Sequence, residues 1–255
     1  MVRAAAALFA VFLVLVVLAV PGEAHKGITT KFTFNADVYP VFLSRCGRCH
    51  IEGGVGPMSL VKYDEAFPWA EAIRAELLSA TTGDMHDFVK AAHRQISARE
   101  LDIVLDWATG GAPEGDTTKS PEPPALHNDW ATGAPDLVAA MVEPYGMTAA
   151  TIDATHESIV PIPTSSSVMI GQLDVLPGNP LIVRSAVLSL RAPDGTTRLL
   201  GTWVPRQVPA ALALKPPVRV DPGAQIIARI HYKKTWKYEA EPLSDRSQIG
   251  LYLSD

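Results

Sequence analysis

The chain has 255 residues, enough for one large domain or two modest ones, and its 47% apolar and 19% charged content is that of an ordinary globular protein. The net charge of −5 comes from 27 acidic and 22 basic residues spread along the chain without a block of Lys and Arg, which excludes a nucleic-acid surface. Only two cysteines exist, both in one motif, so no disulfide is left once that motif is used.

Arg3, the unbroken apolar run 4–20 and the small-residue ending Pro21-Gly22-Glu23-Ala24 read as an export signal over residues 1–24, cleaved before His25. The competing reading is a retained N-terminal anchor, because 17 apolar residues lie at the short end of a bilayer span. Both readings place the rest of the chain outside the cytoplasm, in the periplasm.

Residues 37–45 form an amphipathic helix with Val38, Phe42 and Leu43 on one side and Pro40 in the first turn. It feeds into Cys46-Gly47-Arg48-Cys49-His50, the attachment signature of c-type haem. Two thiols at this spacing can each add across one haem vinyl group, and the next residue then brings an imidazole to the iron. A redox dithiol would sit in a thioredoxin-like strand–helix pattern, which is absent. Zinc would need a second ligand pair, and no other cysteine exists.

A glycine-rich loop follows, Gly53-Gly54-Val55-Gly56-Pro57. A second helix starts near Pro68 and carries Trp69, Ala72, Ile73 and Leu77. A third opens with the capping box Ser97-Ala98-Arg99-Glu100, presents Leu101, Val104, Leu105 and Ala108, and stops at Gly110-Gly111. Three helices around one haem predict an all-α cytochrome c domain over residues 29–115. Candidates for the sixth iron ligand are Met58, Met85, His86 and His93. Met85, 36 residues after Cys49 in a loop able to cover the open haem face, is favoured, with His86 the next alternative. A Met/His pair raises the haem potential, as suits an electron carrier.

Composition changes after Gly115. Residues 116–136 are a Pro-rich linker that includes Pro121-Glu122-Pro123-Pro124. Over 137–255 the pattern is of strands, at 165–170, 181–190, 198–204, 225–232 and 248–253. Pro177-Gly178-Asn179-Pro180, Pro193-Asp194-Gly195 and Asp221-Pro222-Gly223 supply turns. The expected fold class is therefore multidomain α plus β, an all-α cytochrome domain followed by a jelly-roll-like β-sandwich.

The runs Phe34-Asn35-Ala36-Asp37-Val38-Tyr39-Pro40, Cys46-Gly47-Arg48-Cys49-His50, Pro57-Met58-Ser59-Leu60, Tyr63-Asp64-Glu65-Ala66, Pro68-Trp69-Ala70 and Asp106-Trp107 through Gly115 resemble a bacterial cytochrome c domain. Relatives of that domain are often fused to one similar to the copper type II, ascorbate-dependent monooxygenases. The family's distal loop usually reads Met-Pro-Pro-Trp, whereas Met85 here is followed by His86-Asp87-Phe88. His231-Tyr232 matches a copper-ligating His-Tyr of the monooxygenases, but Arg184 and Ser185 stand where their adjacent His pair would fall. One imidazole does not hold type II copper. His231 is read as a retained sheet residue and the β-half as degenerate, without copper. His93, His127 and His156 show no partner spacing.

The resemblance and the motif together imply an exported monohaem cytochrome with one covalent haem c on Cys46, Cys49, His50 and Met85, His50 and Met85 being the iron ligands. Its partner would be a redox protein or a membrane respiratory complex, with membrane association through that partner or through an uncleaved N-terminal segment. The β-half would dock or scaffold, and the chain would be an electron carrier rather than an enzyme. Two alternatives stand beside this reading: a haem that binds or senses a ligand, and a haem that feeds a copper-dependent oxidoreductase.

Overall fold

A computed structural model describes residues 27–82, 96–126, 128–207 and 209–254. The expected signal segment 1–24 and the residues Met85, His86, His93 and His127 lie outside the described residues. Among the described residues no helix is long and apolar enough to cross a membrane.

The first half is built from short helical pieces. Phe34–Val38, Tyr39–Val41 and Phe42–Cys46 run on as one stretch whose first and last parts have wide π-type turns. Pro40 sits in the middle of that stretch rather than at its start. Having no N–H, it interrupts regular i→i−4 bonding, and the wide turns flank it. Helix α1 (Tyr63–Ala66), a 3₁₀ turn (Phe67–Trp69) and helix α2 (Ala70–Thr82) follow. Helix α3 (Ala98–Thr109) is held at its start by the expected box, with Ser97 Oγ accepting from the Glu100 N–H and Glu100 accepting from the Ser97 N–H. Phe34, Val38, Phe42, Val104 and Trp107 are fully buried together, with Phe34 and Phe42 against the Trp107 ring. Leu43, expected on the same apolar side, is 38% exposed.

The second half holds ten strands: β1 (Leu137–Ala140), β2 (Tyr145–Met147), β3 (Asp153–Pro161), β4 (Val168–Leu176), β5 (Val183–Arg191), β6 (Thr197–Trp203), β7 (Leu212–Val220), β8 (Gln225–Lys233), β9 (Leu243–Asp245) and β10 (Gln248–Leu253). They make two four-stranded antiparallel sheets, β1-β10-β4-β7 and β3-β8-β5-β6, and a two-stranded pair, β2-β9. Alternate residues of β5 (Ala186, Leu188, Leu190) and β8 (Ile226, Ala228, Ile230, Tyr232) are buried, the period-two signature of a sheet with one face inward. They share one apolar cluster with Ile170, Leu173, Val175, Ile249 and Leu251 of the other sheet. Gly195 and Gly223, at φ 88° and 87°, close the turns that Pro193-Asp194-Gly195 and Asp221-Pro222-Gly223 announce.

This corrects the expected fold class of an all-α domain followed by a β-sandwich. Among the described residues the chain is mostly β, with ten strands in three sheets, and the longest described helix covers 13 residues. Pro40, Gly47, Gly53, Gly54, Gly56 and Pro57 cut the helical periodicity short, and residues 47–62 form an irregular segment with no helix. The linker, too, is tied down: Tyr39 Oη donates to the Glu122 carbonyl at 3.2 Å, and Asn35 Nδ2 to Ser120 Oγ at 3.1 Å.

Candidate functional site

The two cysteines lie on one turn. The helical stretch ends at Cys46, whose carbonyl accepts from both the Cys49 N–H (3.0 Å) and the His50 N–H (2.9 Å). Residues three apart on a helical turn share a face, so the turn brings both thiols to one side with the imidazole directly after. Both cysteines are free and half-buried. Burial, and then the neighbouring Cys49, push the Cys46 thiol up to about 11. The turn also closes a helical C-terminus, where the dipole disfavours a thiolate. A reactive redox dithiol needs the opposite, a thiol with a lowered pKa.

The glycine-rich loop folds back on this turn. Gly54 N–H donates to the Ile51 carbonyl (2.8 Å), Gly56 N–H to the Cys49 carbonyl (2.9 Å), and Leu60 N–H to the His50 carbonyl (3.0 Å). A Cβ on Gly54 would lie 2.2 Å from the Cys49 carbonyl oxygen, and one on Gly56 would lie 2.8 Å from His50 Nδ1. The glycines are needed for this close approach. His50 Nδ1 is buried with no hydrogen-bond partner, while the residue as a whole is half-exposed. Burial lowers the imidazole below its usual range, and the Met58 backbone pulls the other way. The nitrogen walled in by the loop is Nδ1. Two thiols three residues apart, followed directly by an imidazole, are groups that would fit a haem held by thioethers and one nitrogen ligand. Met58, on the same segment, is half-buried against the first-half core.

The loop is also bound to the second half. Arg184 is 2% exposed, and its guanidinium donates to three carbonyls: Gly54 (2.5 Å), Leu181 (2.8 Å) and Lys233 (3.0 Å). Burial lowers it to about 10, which leaves it charged at neutral pH. Tyr238 Oη donates to Glu52 Oε1 at 2.5 Å, and Arg48 Nε to the Arg206 carbonyl at 3.1 Å. Lys62 lies 3.6 Å and Lys237 3.8 Å from the Glu52 carboxylate. From the sequence alone, Arg184 is legible only as the replacement of a copper ligand. Its role at the loop needed the contact across 130 residues, although a lone Arg between apolar strand residues was a visible signal.

His231 lies in register with Ser185 on β5 and Thr155 on β3, and its Nε2 is 2.9 Å from Asp153 Oδ1. A single imidazole among a carboxylate and two hydroxyls does not form the nitrogen-rich set of type II copper. His156 points to the other face and stacks on Tyr145 at 4.4 Å, which in turn stacks on Tyr232 at 4.7 Å. Tyr232 Oη donates to the buried Asp245, an anchor that sequence patterning did not show. Among the described residues no three His, Cys, Asp or Glu side chains gather to hold a metal ion.

No protein-family model matches this chain, and no curated protein does.

Proposed function

We propose that the chain is an exported monohaem c-type cytochrome that passes electrons to or from a redox protein or respiratory complex outside the cytoplasm. The observation that carries this reading is the turn at Cys46-Gly47-Arg48-Cys49-His50: two free cysteines lie on one hydrogen-bonded turn, and His50 has Nδ1 buried beneath a glycine loop. The raised Cys46 pKa argues against a redox dithiol. Bound at this turn, haem supplies one-electron exchange through its porphyrin edge without bond rearrangement. The chain's part is to fix the imidazole, exclude water from its inner edge and hold the loop. Met85 would be the second residue to hold the iron, with His86 the alternative. The β-half scaffolds the loop and offers the docking surface, through the small, polar, transient interface such carriers use.

The test is a denaturing gel of the exported protein stained for haem peroxidase. Wild type should stain and Cys49→Ala should not. An unstained wild type would defeat the proposal. The ferric spectrum of the holoprotein should show a weak band at the red end that Met85→Ala removes while the gel stain stays.

A further inference from the structure

Arg184 is the extra residue of a β-bulge. Val183 pairs with Tyr232 and Ser185 with His231, so two steps on β5 face one on β8. Val183 and Arg184 are both buried in succession, which breaks the alternation of the strand. Bulges re-aim side chains, and this one turns a cation out of the sheet toward the first half. None of its three hydrogen bonds goes to a carboxylate; all go to main-chain oxygens. Leu181 and Lys233 belong to the β-half and fix the guanidinium there, while Gly54 belongs to the loop. Gly54 is pinned in turn by its own N–H on Ile51, and two residues on Gly56 is bonded to the Cys49 carbonyl and walls the His50 ring. An unbroken chain of short contacts thus runs from the bulge to the imidazole.

We propose that Arg184 is a positioning residue for His50. It clamps the 53–56 loop against the ring and sets a fixed positive charge near the site. The reduction potential of the bound haem therefore depends on the β-half. A fixed cation disfavours the oxidised, more positive iron and raises the potential, and solvent at the Nδ1 edge lowers it. This rests on the haem reading above for the potential, whereas the clamp itself does not.

The experiment compares the full-length wild type with Arg184→Met and Arg184→Lys. Two quantities are read: amide hydrogen exchange over residues 51–60, and the midpoint potential by spectroelectrochemical titration. Losing a charge-assisted hydrogen bond should speed exchange in Arg184→Met by about tenfold or more, with the potential shifted downward. Arg184→Lys keeps the charge but not the planar fork, so it should recover part of the potential while exchange stays fast. Should Arg184→Met fail to fold, the same two readings on Arg184→Lys decide the matter. Exchange and potential equal to wild type in the folded variants would overturn the proposal. A wild type without haem would defeat the functional reading instead, and the exchange data would still judge the clamp.

Discussion

The Tyr238 hydroxyl donates to Glu52 at 2.5 Å, joining a residue near the end of the chain to one two positions past His50. This bond is the first cause of the lowered Glu52 pKa, with burial opposing it and Lys62 and Lys237 adding to it. Tyr238→Phe should cost about 1.5–3 kcal/mol, the worth of a hydrogen bond to a charged group. Urea denaturation followed by far-ultraviolet circular dichroism measures it. No shift of the midpoint would mean the contact is not formed in solution.

Glu65 is 4% exposed, and its Oε1 accepts no hydrogen bond although Lys62 Nζ lies 3.6 Å away and Lys237 Nζ 3.9 Å away. Burial raises its pKa, with the two lysines partly offsetting. The folded state therefore keeps this proton to higher pH than the unfolded chain. Stability from this group is full below the unfolded value and falls as pH rises through the folded one. Glu65→Gln should flatten stability against pH in that window, as read by thermal melts from pH 4 to 7. An unchanged slope would count against the burial of this carboxyl.

Gly54→Ala places a Cβ 2.2 Å from the Cys49 carbonyl oxygen, a main-chain atom that cannot swing aside. Overpacking of this kind costs about 1–3 kcal/mol. The loss should appear as a lowered melting temperature and as faster amide exchange over residues 51–60. Gly195→Ala is the comparison, since open space surrounds that glycine and only its φ of 88° is strained. It should leave the exchange of 51–60 untouched.

His231→Ala removes an exposed cross-strand partner of Asp153, whose carboxyl His231 holds below its usual range, with Lys233 helping. Lys233 remains 3.1 Å from that carboxylate. Exposed pairs of this kind contribute about 0.2–1 kcal/mol. The variant should lose no more than that in chemical denaturation.

Short-range signals in the sequence were the dependable ones. The Ser97–Glu100 box opens α3, and Val-, Ile- and Leu-rich runs became β5, β6, β8 and β10, because capping and period-two burial are local. Strand β7 carries Pro216 and Pro217, which do not fit a strand pattern, and β3 has polar residues on its exposed face, so neither stood out. Leu43 is exposed because wide turns rotate it off the helix face that regular periodicity assigns. At the site, the motif itself was legible. The partners of its loop were not, since Arg184 and Tyr238 reach it across 130 and 186 residues, and no local pattern encodes such a contact.

That separation has a consequence for the order of events in biogenesis. A chain delivered N-terminus first displays Cys46 and Cys49 long before Arg184 and Tyr238 emerge. On the proposed haem reading, attachment at Cys46 and Cys49 would precede these contacts, and the segment carrying Arg184 and Tyr238 would close over the turn afterwards.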